Sequence, residues 1–137
     1  MAKSAPMEFS DKEIVIFYKP DIKKDNNTYV LASQITSHIR DIDVLKEKLT
    51  STQLKKVVDM LGLPIEDLIE RDSDIYKSMY HDKAFDEAGW LSVLVQNPDL
   101  LRTPIVFKGK KGILIETPSN VLSLDDEKNI KEGRRNL

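Results

Sequence analysis

The chain has 137 residues, with 21 Lys+Arg against 23 Asp+Glu and a formal net charge of −2. A balance this close to zero argues against a general nucleic-acid or membrane-surface binder, which needs a basic excess. Cysteine is absent, and that one count removes disulfide frameworks, zinc-thiolate sites, iron–sulfur clusters and every mechanism with a cysteine nucleophile. The length suits one domain, and 40% hydrophobic residues can supply its core. No run approaches the roughly 20 apolar residues of a membrane span. The opening Met1-Ala2-Lys3-Ser4-Ala5-Pro6 lacks the apolar stretch of a secretory signal, so the expected compartment is the cytoplasm.

Residues 1–12 are small or polar without a period and read as a flexible N-terminal arm. Ile14–Tyr18 is apolar throughout, as a central strand covered on both faces would be. Pro20 ends it. A helix is expected over about residues 26–37, with Thr28, Leu31, Ile35 and His38 in line on one face. A second strand fits residues 39–45, where Ile42 and Val44 alternate with charged neighbours.

The clearest helix follows. Thr50 or Ser51 can cap it, Leu54, Val57, Val58 and Leu61 form its apolar stripe, and Gly62 stops it. Pro64 opens a short helix carrying Ile65, Leu68 and Ile69 inward. Another turn or two is expected over residues 74–79. The last long helix is placed at about residues 83–96, with Ala84, Ala88, Leu91 and Val95 sharing a face and Asn97-Pro98 ending it. Gly89 within it implies a closely packed neighbour. Ile105–Phe107 and Ile113–Ile115 then flank a Lys108–Gly112 hairpin signal. Thr117-Pro118 can open a final short helix through Leu122, and residues 125–137 form a charged tail with Arg134-Arg135 near its end. The order is β-α-β, a helical insertion over about residues 50–97, then β-β-α.

That order is the thioredoxin fold with an insertion between its halves, an α/β fold on a mixed four-stranded sheet within a single domain at residues 13–124. The segment Asn97-Pro98-Asp99-Leu100-Leu101-Arg102-Thr103-Pro104-Ile105-Val106 resembles one branch of it, the ArsC-type arsenate reductases and the related Spx-type transcriptional regulators. Supporting matches are Ile16-Phe17-Tyr18-Lys19-Pro20, Asn27-Thr28, Leu68-Ile69 with Tyr76-Lys77, and Thr117-Pro118-Ser119. The resemblance runs from about Ile14 to Leu124 and implies a cis bond at Thr103-Pro104.

What the resemblance implies chemically, the residues do not supply. Its nucleophilic cysteine would fall on Ile22, just after the first strand, where a helix N-terminus lowers a thiol pKa. Its three anion-holding arginines would fall on Glu70 (with Arg71 beside it), Thr103 (one residue after Arg102) and Thr117. No catalytic residue is therefore assigned. An isoleucine in a dead pocket is expected to be partly covered by Thr103 or Pro104, with Lys23 and Lys24 facing solvent.

A remnant of the pocket could be built from Lys19, Lys23, Lys24, Asn26, Arg102, Thr103 and Pro104, with ammonium groups and helix N–H donors holding a small anion. The simpler reading, which is preferred, is a solvated loop whose lysines are offset by Asp21 and Asp25. His38 and His81 show no ligand spacing, so neither a metal nor a cofactor is expected. Asp41/Asp43 and Glu66/Asp67 are the carboxylate pairs that chance supplies at this charge density, and the former would share a solvent face. Tyr76, Tyr80, Phe85 and Trp90 read as packing of the insertion. The Lys108–Lys111 hairpin and Arg134-Arg135 read as an ordinary exposed turn and tail.

The expected function is a cysteine-free, arsenate-reductase-like protein acting as a binding or regulatory module without thiol redox catalysis. By analogy with the Spx-type relatives, its partner would be a protein of the transcription machinery rather than nucleic acid or a membrane. The alternative is a divergent enzyme, or a small-anion or thiol-ligand binder, using the remnant pocket.

Overall fold

The computed structural model describes residues 10–125. Residues 1–9 of the expected arm, and the tail beyond Asp125, lie outside the described residues. Four strands, β1 (Ile14–Tyr18), β2 (Ile39–Asp43), β3 (Ile105–Lys108) and β4 (Lys111–Leu114), form one sheet in the order β2-β1-β3-β4. β1 runs parallel to β2 and antiparallel to β3, and β3 pairs antiparallel with β4. The mixed four-stranded sheet expected from the sequence is present.

Side chains of β1 alternate between two cores. Val15 and Phe17 face one, with Ile105 and Phe107, and Ile14, Ile16 and Tyr18 face the other, with Val106. The first core is closed by α2 (Ser51–Leu61), α3 (Glu87–Gln96) and the segments between them, through Leu54, Val57, Val58, Leu68, Trp90 and Leu94. The second is closed by Ala32 of α1 (Lys23–Ile35) and by Val121 and Leu124 of a 3-10 helix, Pro118–Leu124. Both faces of β1 are covered, which is why it carries five apolar residues in a row.

Local chemistry sets the boundaries. Thr50 caps α2 in a reciprocal box with Gln53, whose side chain returns to the Thr50 N–H. Gly62 ends the helix in the left-handed conformation at φ 69°. The β3–β4 hairpin turns at Gly109, φ 61°, whose N–H donates to Ser10 O over 3.0 Å. Thr117 caps the last helix in a second box with Asn120.

Several expected bounds move. Helix α1 starts at Lys23 rather than 26 and buries Asp25, Thr28 and Ala32; of the expected face, Thr28 is buried, Leu31 and Ile35 pack partly buried against the second core, and His38 is exposed. β2 stops at Asp43 rather than 45, and β4 begins at Lys111 and ends at Leu114. α3 starts only after Asp86, whose side chain accepts the Gly89 N–H over 2.8 Å. Its buried face is Trp90, Val93 and Leu94, with the expected Leu91 and Val95 partly buried beside them and Ala84 and Ala88 exposed. The close neighbour of Gly89 is Phe85, whose Cβ would lie 2.8 Å from an added methyl.

Candidate functional site

The loop after β1 leads directly into α1, and Ile22 is the N-cap of that helix without any side-chain capping bond. Ile22 is 39% exposed. Thr103 and Pro104, expected to cover it in part, are buried. The Thr103-Pro104 bond is cis, as the resemblance implies.

Across from α1, the insertion is stitched to the chain ahead of β3. Ile69 and Leu101 form an antiparallel bridge, Glu70 N–H donates to Leu100 O over 2.6 Å, and Arg102 N–H donates to Leu68 O over 2.8 Å. This pairing brings Glu66, Asp67 and residues 69–72 beside Arg102, and together with Lys24 and Glu116 they line an open cavity of about 340 Å³. Its volume lies within the ordinary range of ligand pockets, but its wall is polar where such pockets are mostly apolar.

Charge decides what this wall favours. Five acidic residues line it (Glu66, Asp67, Glu70, Asp72 and Glu116) against three basic ones, Lys24, Arg71 and Arg102, a net of −2. Arg102 is committed to Glu116 through a salt bridge and to Asp67 O at 3.0 Å. Arg71 donates to Glu66 O at 3.2 Å. A small anion entering here meets more carboxylates than cations.

Lys19, expected as a solvated loop lysine or a pocket cation, is neither. It is 6% exposed, and its Nζ donates to Asp99 O over 2.8 Å. Burial pulls its ammonium below the usual lysine pKa, while Asp25, Glu70 and Asp99 pull it back up. Its own N–H donates to Asp25 Oδ2 over 2.9 Å. Asp25 is fully buried in the first turn of α1, and its Oδ1 has no hydrogen-bond partner.

Of the other expected pocket residues, Lys24 is half-buried on the cavity wall rather than turned to solvent, while Lys23 and Asn26 are exposed. The Asn26 amide is used on Pro20 O. Thr103 is 5% exposed with its hydroxyl unpaired, and Thr117 is an exposed helix cap. The cavity collects Lys24, Glu70 and Arg102, but not Ile22, Thr103 or Thr117. Asp25, expected in a solvated loop beside Asp21, is instead buried in the first turn of α1, where an acidic residue is a recurrent helix-start signal.

The remaining candidates lie elsewhere. Asp41 accepts the Tyr18 hydroxyl over 2.9 Å, and the Tyr18 ring stacks on Tyr29. His38 and His81 are exposed. Among the described residues no group of three or more His, Cys, Asp or Glu could hold a metal ion, and no helix is long and apolar enough to cross a membrane. Trp90 meets Phe85 and Tyr80 edge-on at 4.9 and 6.3 Å, although Phe85 keeps 36% of its surface exposed.

Comparison with known proteins starts from the same stretch of chain. The family model described as the ArsC family matches residues 22–122. The chain belongs to the ArsC family. Among solved structures, an arsenate reductase from Vibrio cholerae superposes with a TM-score of 0.75 at 22% identity, covering 82% of this chain and 98% of that one. An arsenate reductase (ArsC) related protein from Brucella melitensis superposes at 0.63 with 16% identity, covering 81% and 92%. At these identities the likeness shows the fold, the thioredoxin-like architecture of ArsC proteins. No curated protein matches the chain. This ArsC-family chain thus keeps the family's architecture without a cysteine anywhere in its 137 residues.

Proposed function

We propose that this ArsC-family chain does not reduce arsenate and acts in the cytoplasm as a non-catalytic binding or regulatory module. The observation that carries the reading is the absence of cysteine. Thiol redox chemistry needs a thiolate, and neither Ile22, which the resemblance puts at the nucleophile position, nor any other residue supplies one. The altered arginine positions, Glu70, Thr103 and Thr117, support the same conclusion, because an anion clamp without its guanidinium groups loses bidentate oxyanion recognition. By analogy with Spx-type regulators, the partner class is a protein of the transcription machinery. Direct binding of the purified chain to purified RNA polymerase tests that part, and no complex at micromolar concentrations contradicts it.

A second reading has one observation in its favour, the open cavity of about 340 Å³ beside Lys24 and Arg102. In that reading the chain binds a small anion or a thiol ligand such as glutathione. The excess of carboxylates on the wall opposes it. A thermal-shift screen with arsenate, phosphate, sulfate and glutathione separates the two, since a ligand at 100 times its Kd adds about 2.7 kcal/mol of stability.

A further inference from the structure

A strand at the edge of a sheet turns half of its backbone groups outward, where its own sheet cannot pair them. The sheet order ends on β4, so β4 is such an edge. The Ile115 N–H that follows it points inward and donates to Pro104 O over 3.0 Å. Backbone direction alternates along a strand, so Lys111 and Ile113 also point inward, and the N–H and C=O of Gly112 and Leu114 point out. Gly112, Ile113 and Leu114 are all partly exposed. We propose that β4 pairs antiparallel with β4 of a second copy of this chain, about a two-fold axis at Ile113, with Lys110 of each copy opposite Glu116 of the other.

Symmetry leaves few registers, because a two-fold axis normal to the sheet makes one residue oppose its own copy. With the axis at Ile113, Gly112 opposes Leu114 of the other copy, and each outward N–H meets an outward C=O. Ile113 opposes itself as an apolar pair, and Gly112 presents no side chain against the facing Leu114. At the strand ends Lys110 meets Glu116, a pair of opposite charge. Lys110 is exposed, and the Glu116 side chain keeps 63% of its surface exposed beside its bond to Arg102. Moving the axis to Gly112 sets Lys110 and Lys111 against Leu114 and Ile113. Moving it to Leu114 requires the Glu116 N–H, which already donates to Asn120 Oδ1 at 3.3 Å.

The other edge, β2, shows the contrast. A two-fold axis at Arg40 or at Asp41 sets that residue against itself, and an axis at Ile42 sets Asp41 against Asp43. Each register brings like charges face to face, which guards β2 against a second copy. On β4 the cations stand at one end and the carboxylate at the other. An edge of that kind is complementary to itself when run antiparallel, and a segment of a single charge sign matches only one of its ends. One short strand buries less than a standard interface, so the dimer is a weak one, with a Kd in the micromolar range or above. The inference does not depend on the non-redox reading.

The test is sedimentation equilibrium of the whole chain at low ionic strength, from about 1 μM to about 1 mM, with amide hydrogen exchange at the same concentrations. A reversible monomer–dimer equilibrium is expected, with exchange at the Gly112 and Leu114 amides slowing in step with the dimer. Lys110→Glu and Glu116→Lys are each expected to weaken the dimer by about tenfold or more. An equimolar mixture of the two is expected to restore it, because the mixed dimer regains an opposite charge at both ends. A chain that stays monomeric throughout overturns the proposal, as does a dimer indifferent to both charge reversals. So does a mixture no tighter than its components, or a dimer in which Gly112 and Leu114 exchange as fast as in the monomer. Should Glu116→Lys fail to fold for want of its bond to Arg102, Lys110→Glu and the exchange rates decide by themselves.

Discussion

The ammonium group of Lys19 donates to the main-chain carbonyl of Asp99 across 2.8 Å, joining the loop after β1 to the turn that ends the helical insertion. The bond spans 80 positions of sequence. It makes a buried cation a strut between the sheet and the insertion, next to the loop that enters α1.

Lys19→Ala is expected to cost about 1–3 kcal/mol, from a charged hydrogen bond lost and a buried stem removed. The variant should also change the pH profile. The folded-state pKa of Lys19 is lowered below 10.5, so between the folded value and 10.5 the unfolded chain binds more protons. Stability from this group therefore rises with pH through that window. Urea denaturation across the alkaline range should show this rise in the unmodified chain and its loss in Lys19→Ala.

Tyr18 acts with the opposite sign. Burial first, then its hydrogen bond to Asp41, pushes the phenol from 10.0 up to about 12. Its contribution is fully present below pH 10.0 and is lost as pH rises through about 12. Tyr18→Phe is expected to cost about 0.5–1.5 kcal/mol at neutral pH. The same substitution should flatten the loss of stability over that alkaline interval, which denaturation followed by circular dichroism reads directly.

The insertion depends on Trp90, 4% exposed and flanked by the rings of Phe85 and Tyr80. Trp90→Ala is expected to destabilise the chain by about 3–5 kcal/mol. Phe85→Ala should cost distinctly less, because 36% of Phe85 already faces solvent. Equal effects in chemical denaturation would show that the aromatic cluster, and not the core beneath it, holds the insertion.

How much of this was legible in the sequence varies with where the signal resides. Strand β1 and helix α2 were readable because their patterns are local: five apolar residues in a row, and a Thr50-to-Gly62 stretch with both caps written into it. Helix α1 starts three residues earlier than expected because its first turns bury polar residues, with Asp25 accepting the Lys19 N–H and the Thr28 hydroxyl donating to Lys24 O. The face of α3 was misread for the reverse reason. Small residues at the right spacing suggested Ala84 and Ala88, but tertiary packing selected Trp90. Burial of Lys19 had no local sign at all, since its partner lies near the far end of the insertion. The carboxylate-rich cavity likewise depends on the Ile69–Leu101 bridge, which joins segments more than 30 residues apart.

Restoring a thiol should not restore the chemistry. Ile22→Cys places a cysteine at the N-cap of α1, at a position 39% exposed. Its pKa is expected below the free value of about 8.5, with a correspondingly fast reaction toward a disulfide reagent. Arsenate turnover by the variant should stay at the level without protein, because the arginine positions remain Glu70, Thr103 and Thr117. Turnover by Ile22→Cys alone would show that the anion site had survived.

Arsenate reduction by the unmodified chain, with glutathione or thioredoxin as reductant, tests the central claim most directly. The account predicts no turnover above that of the reductant alone, at any protein concentration. Turnover that scales with the amount of this cysteine-free chain would contradict it.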